Sequence, residues 1–167
     1  MSLLTDDLRA MIGKQVHYPA REPMGRASIR YFALAINDDN PVYRDPAYAA
    51  AAGHADVIAP PTLVCETCQT ADRQPDADGY IGHDWHLPVG NSRLIRAGND
   101  YSFERPVLAG DWISATWTLE SIVEKPSSRG GMQLFVQSVA RYTDADGKLV
   151  ATNRETLVIQ PLGPTAS

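Results

Sequence analysis

Residues 32–51 read Phe32-Ala33-Leu34-Ala35-Ile36-Asn37-Asp38-Asp39-Asn40-Pro41-Val42-Tyr43-Arg44-Asp45-Pro46-Ala47-Tyr48-Ala49-Ala50-Ala51. Ile29, Phe32, Ala33 and Ile36 recur at i, i+3, i+4 and i+7, which predicts an amphipathic helix over 24–36. Asn37-Asp38-Asp39-Asn40-Pro41 ends that helix, because short Asx side chains bond the backbone two residues on and favour a turn. Asp45-Pro46 then supplies an N-cap and a proline at the first helical position, leading an alanine-rich helix to Ala52 and a stop at Gly53.

Working outward, Leu4, Leu8 and Met11 predict a short N-terminal helix ending near Gly13, and 14–19 form an edge segment. Downstream, Pro60-Pro61 opens a helix predicted through Ala71; the missing proline donors would have no partner in a first turn anyway. Residues 72–90, polar and rich in Pro, Gly and Asp, read as a long surface loop of the kind that often carries function. Beyond Asn91 the apolar period becomes two. Ile95, Ala97, Tyr101 and Phe103 mark a first strand, Ile113, Ala115, Trp117 and Leu119 a second, and two more are predicted over 132–142 and 149–159. Asp146-Gly147 joins the last two by a tight turn, and 125–131 is a looser connection.

Helices first and an antiparallel meander afterwards predict an α+β fold, one helical layer on one curved sheet. The 167 residues suit a single domain over 1–167 with its core at about 10–160. The open edge of such a sheet predicts pairing with a second copy or a homologue.

A net charge of −5, with no basic run, opposes binding to nucleic acid, and no apolar run is long enough to span a membrane. The N-terminus lacks the basic start and apolar run of a signal peptide, so the expected address is the cytoplasm. Cys65 and Cys68 have the spacing of half a zinc site, but no second pair of ligands completes it; the expectation is a helix entering the core and no metal.

The stretch Asn37-Asp38-Asp39-Asn40-Pro41-Val42-Tyr43, followed by Asp45-Pro46 and an alanine-containing helix, resembles the hydratase signature of the MaoC-like acyl-CoA hydratase/dehydratase family. Ala59-Pro60-Pro61-Thr62 is similar to the start of that family's central helix. Gly98-Asn99-Asp100-Tyr101-Ser102-Phe103-Glu104-Arg105-Pro106-Val107-Leu108-Ala109-Gly110-Asp111 is similar to its strand followed by Arg/Lys-Pro-x-x-x-Gly-Asp. The likeness spans about residues 10 to 160 and is nearer to the N-terminal-dehydratase branch.

The resemblance implies a hot-dog fold, an antiparallel curved sheet wrapped around a central α-helix from about Pro61 to Ala71. It implies addition or removal of water at a trans-2-enoyl thioester of CoA or an acyl carrier, with no metal or redox cofactor. Asp38 takes the place of the catalytic aspartate, Asn40 belongs to the turn, and Tyr43 stands where the family has its catalytic histidine; the glycine before the aspartate is Asn37. Thr62 or Leu63 would donate to the enolate oxygen, and Arg96 to the substrate; Arg30, Arg93 and Arg105 invite the same phosphate-binding reading.

A phenol with an ordinary pKa near 10 is a poor base at neutral pH, so Tyr43 opens three readings. The chain is a hydro-lyase, with His54, His83 or His86 as replacement bases. It is a non-catalytic hot-dog subunit that shapes the acyl pocket for a catalytic homologue, in a homodimer or heterodimer. Or it is a hot-dog thioesterase, which the Asp-x-Asn-Pro turn disfavours. The mixed aromatic and polar run 80–88 suits a lid on an acyl pocket or a dimer contact.

Overall fold

The computed structural model describes residues 2–65, 68–127 and 130–162. Three short helices, α1 (Asp6–Met11), α2 (Arg26–Ala35) and α3 (Pro46–Ala51), accompany strands β1 (Gln15–Tyr18), β2 (Ser92–Phe103), β3 (Ser114–Pro126), β4 (Met132–Thr143) and β5 (Leu149–Pro161). Thr5 caps α1 by accepting from the Leu8 N–H at 3.3 Å, and Asp6 and Asp7 face the positive end of its dipole. Helix α2 buries Ile29 and Ala33, two of the residues that set its predicted face, while Ile36 is exposed just beyond its end.

The sheet is antiparallel throughout, in the order β1-β3-β4-β5-β2. Strands β3, β4 and β5 form the expected meander, but the first predicted long strand does not join it in sequence. β2 pairs with β5 at the far edge, and β1 occupies the edge beside β3. The long connection between β2 and β3 makes that crossing: Ala59 N–H bonds Val107 at 2.7 Å, and Ala109 N–H bonds Val57 at 3.1 Å, tying the helical half across it.

The alternation read in β2 also needs correction. Its register passes from Arg96↔Leu157 to Gly98↔Thr156, so Ala97 is an extra residue, a β-bulge. A one-residue step exchanges the two faces of a strand. Leu94 and Arg96 therefore share a face with Asn99, Tyr101 and Phe103, and Ile95 lies on the other.

The segment expected to be the central α-helix is a 3-10 turn over Pro61–Cys65, continued by turns over 68–72. Glu66 and Thr67 of that predicted helix lie outside the described residues. The local chemistry accounts for the departure. Leu63 N–H bonds the Pro60 carbonyl at 2.9 Å, the tighter 3-10 closure, and the Gln69 side chain donates to the Val64 carbonyl at 3.2 Å. An α-helix would offer that carbonyl to the backbone of residue 68.

Two apolar clusters lie beneath the helical layer. One gathers Ile29, Val42, Leu63, Val64 and Cys68 against Ala115, Ala140 and Tyr142; the other gathers Leu8 and Trp85 against Leu119, Leu134, Val136 and Ile159. Cys68 is buried and Cys65 half-buried in the first cluster, as expected of core cysteines. Trp117 packs against both, so the middle of the concave face is where the clusters meet. Among the described residues no helix is long and apolar enough to cross a membrane.

Candidate functional site

The Asp38 turn is built as a chain of side-chain caps. Asn37 adopts φ 56°, the left-handed conformation that glycine enters freely and asparagine tolerates, so it does the work of the glycine it replaces. Around it, Asp38 N–H bonds the Ala33 carbonyl at 2.9 Å and Asn37 N–H bonds Leu34 at 3.1 Å, the paired closure of a Schellman helix end. Asp38 Oδ1 accepts from Asn40 N–H at 3.1 Å; Asn40 Oδ1 accepts from Val42 N–H at 3.1 Å and caps the 3-10 turn Pro41–Tyr43. Asp45 Oδ1 accepts from Ala47 and Tyr48 and starts α3.

This geometry brings Asp38 and Tyr43 together. Burial, and then the neighbouring Asp38 carboxylate with which the phenol hydrogen-bonds, push the Tyr43 pKa above its ordinary 10. Asp38 is half-buried and Asn40 exposed. Thr62 is exposed at the start of its 3-10 turn, whereas Leu63 is buried and its N–H is engaged by Pro60.

A cavity of about 450 Å³ opens elsewhere, on the concave face of the sheet. All five strands reach it: Tyr18 from β1, Trp117 from β3, Tyr142 from β4, Asn153 and Glu155 from β5, and Arg96, Asn99 and Tyr101 from β2. Gln69, Arg73 and residues 79–83 close it from above. Of the residues singled out for catalysis or substrate, Arg96 lines this cavity; Asp38, Asn40, Tyr43, Thr62 and Leu63 do not. Arg96 forms a 2.6 Å ion pair with the buried Glu155 and lies over the Tyr80 ring, 4.6 Å from its centroid.

The three histidines considered as bases separate clearly. His54 is half-buried at the end of α3, where its N–H bonds the Ala49 carbonyl at 2.9 Å. His86 is exposed beside Asp84, 3.3 Å away. His83 lines the cavity, stacked on Trp117 at 4.6 Å and edge-on to Trp85 at 4.3 Å, with Nδ1 2.8 Å from the Tyr18 hydroxyl. Burial is the main cause that raises the Tyr18 phenol above its ordinary 10, with the neighbouring Arg73 opposing it. Burial is the main cause that pushes His83 down to about 4, with Asp84 opposing and Arg73 and His86 assisting.

Two buried polar atoms, His83 Nε2 and Asn153 Oδ1, bond nothing among the described residues, and both residues line this cavity. Sequence reasoning missed Tyr18, Trp117, Asn153 and Glu155. A signal existed in β5, where Asn153 and Glu155 interrupt the inward run Ala151, Leu157, Ile159. The outward frame contains Val150 and Val158, equally buried, so the alternation did not declare which face is inside.

Arg30, Arg93 and Arg105 do not line this cavity. Arg105 forks between Asp111 at 2.7 Å and Asp144 at 3.0 Å, pinning the start of the β2–β3 connection to the β4–β5 turn. Arg93 donates to Gln160, and Arg30 lies over the Tyr31 ring.

Residues 10–153 match the family described as FAS1-like, dehydratase domain region. The UPF0336 protein of Thermobifida fusca is 33% identical over 159 residues, covering 95% of this chain and 97% of that protein. Among solved structures, the C-terminally truncated HadBC complex, a 3R-hydroxyacyl-ACP dehydratase from Mycobacterium tuberculosis, superposes with a TM-score of 0.68 at 27% identity. It covers 89% of this chain and 96% of the matched one. The MaoC-like dehydratase of Rhodospirillum rubrum shares the fold at a TM-score of 0.62 and 20% identity, over 90% and 94% of the two chains. With a match over most of its length and a five-stranded antiparallel sheet of the same fold, the chain belongs to the FAS1-like dehydratase domain region family and has the MaoC-like hot-dog architecture.

Proposed function

We propose that the chain is the acyl-pocket subunit of a paired hot-dog hydro-lyase, adding or removing water at a trans-2-enoyl thioester in the cytoplasm. The observation that carries this reading is the state of Tyr43. Hydration needs a base to take a proton from water as its oxygen bonds the β-carbon, and a proton delivered to the α-carbon. A phenol pushed above 10 by burial and by Asp38 holds its proton at neutral pH and accepts none. A second hot-dog chain would supply the Asp–His pair, and this chain the cavity on its concave face. The HadBC structure, a complex in the same fold, supports the pairing. The acyl group arrives on CoA or an acyl carrier, and redox-neutral addition of water draws on no metal or redox group.

A second reading keeps the chemistry here, with Asp38 activating the water and the Tyr43 phenol as proton donor; the Asp38–Tyr43 contact favours it. Enoyl-CoA hydration by the pure chain, followed by loss of enoyl absorbance, separates the two. Under the subunit reading the pure chain works barely above background, and turnover appears on adding a homologue with an intact Asp and His. A turnover of about 1 to 1,000 per second by the chain alone, abolished by Asp38→Asn, overturns that reading. Release of free thiol in the same assay would identify a thioesterase instead.

A further inference from the structure

We infer that the ion pair of Arg96 with Glu155 sets the length of acyl chain that the cavity accepts, by closing it off from a second cavity on the same face. This rests on the reading of the chain as an acyl-pocket subunit and names what limits its substrate.

The second cavity, of about 330 Å³, lies under the same covering loop. Its buried walls are Trp85, Leu157 and Ile159; the polar residues that belong to it alone, Asp76, Asp78, Asp84 and His86, are all exposed. Tyr80, His83, Arg96 and Glu155 line both cavities, so one layer of side chains parts them. That layer is braced. Arg96 Nη1 lies 2.6 Å from Glu155 Oε1, and its guanidinium covers the Tyr80 ring at 4.6 Å. His83 is held between Trp117 and Trp85. The Arg96 side chain is 48% exposed and open to a ligand, whereas Glu155 is buried. An alkyl tail passes this point by displacing the guanidinium, which strands the buried carboxylate without its cation. Burial of a few methylenes beyond the pair does not offset that loss.

The direction of the acyl chain follows from what lies at the other side of the first cavity. There a groove of about 270 Å³ shares Tyr18, Gln69 and Arg73 with it and adds the exposed His17 and Arg21 at the β1 edge. The phosphate of a phosphopantetheine arm is drawn to such guanidinium groups, so the carrier end lies at β1 and the tail points across the sheet to Arg96 on β2. From β1 to β2 there are four strand spacings of about 4.8 Å, or about 19 Å. An extended alkyl chain advances about 1.25 Å per carbon, the projection of a bond of about 1.52 Å at a near-tetrahedral angle, so about fifteen carbons at most separate the groove from the pair. Beyond it, Glu155 to Ile159 spans about 14 Å more of apolar wall.

The test is calorimetric titration of the full chain with saturated, straight-chain phosphopantetheine thioesters of about four to twenty carbons, each kept below the concentration at which it aggregates. Affinity should rise by up to about fourfold per added carbon and then stop rising at or before about fifteen carbons. In the double variant Arg96→Ala, Glu155→Gln, which opens the partition without stranding a charge, the rise should continue. Its eighteen-carbon thioester should bind about tenfold or more tightly than it binds the natural chain. Leu94 is exposed and lines the second cavity but not the first, so Leu94→Trp fills space that the tail does not enter. Alone it should leave every affinity within about twofold of the natural chain, and added to the double variant it should restore the break. The natural chain and Leu94→Trp decide the matter even if the double variant fails to fold. An unbroken rise to twenty carbons, a break that the double variant leaves in place, or a loss of long-chain affinity in Leu94→Trp alone overturns the inference and leaves the subunit reading standing. Binding of none of the probes overturns the subunit reading along with it.

Discussion

The Tyr18 hydroxyl and His83 Nδ1 stand 2.8 Å apart and join the edge strand β1 to the loop that covers the concave face. The imidazole between them is held on two further sides by Trp85 and Trp117, and Trp85 is itself anchored by donating to Ser138 Oγ at 2.8 Å. A ring so placed is neutral when the protein is folded. The covering loop, polar in sequence, is thereby fastened to the sheet through aromatic contacts and these two hydrogen bonds.

The titration of His83 should appear in the stability. Unfolded, it takes up a proton near its ordinary 6.5; folded, only near 4. Between those values the unfolded state binds the extra proton, so stability present in full above 6.5 is lost progressively as pH falls to 4. Asp56, Glu124 and Asp144, held low chiefly by Arg26, by the Leu3 N–H and by Arg105, withdraw their contributions only below about 4.5. Urea midpoints across 4 to 6.5 should fall for the natural chain and flatten in His83→Gln; parallel slopes would refute the assignment.

Asn37 should tolerate glycine and little else. At φ 56° a side chain with a branched β-carbon is strained, so Asn37→Val should destabilise the chain by about 1–2 kcal/mol, while Asn37→Gly stays within about 0.5 kcal/mol of the natural protein. Chemical denaturation distinguishes the two.

Arg105 should matter to folding more than to binding. Arg105→Leu leaves the carboxylates of Asp111 and Asp144 partly buried without their cation, at a cost of about 1–3 kcal/mol. Thermal unfolding should report the loss, and affinity for pantetheine thioesters, measured below the transition, should stay within about twofold of the natural chain.

Tyr43→His is expected to restore a base beside Asp38. In the isolated chain it should raise enoyl thioester hydration by about ten- to a hundredfold above the natural sequence, within the range of a general acid-base term. No increase, in a variant that still folds, would show that Asp38 is not aligned to share a water.

What was legible in the sequence were the features set by neighbours in the chain. The Asp45-Pro46 start of α3, the end of α2 at Asn37 and the positions of the four long strands follow from local spacing, and the structure has them. The family likeness at Asp38 and Arg105 carried the fold. What depended on distant partners was not legible. β2 crosses to β5 instead of pairing with β3, and nothing in 92–103 names its neighbour. The segment after Pro61 has helical spacing, but Gln69 competes for the Val64 carbonyl. His83 looks like any loop histidine until Tyr18, from a strand sixty-five residues away, closes on it.

The extra residue in β2 has a consequence for how this strand can change length. Elsewhere in an extended strand, losing one residue exchanges inside for outside along everything on one side of the cut. At Ala97 the slip already exists, so excising that residue leaves Arg96 and Leu94 on the cavity side with Asn99 and Tyr101. β2 is thus written in two reading frames separated by a spacer, and the spacer is the position where a natural deletion would be silent with respect to which side chains see the ligand.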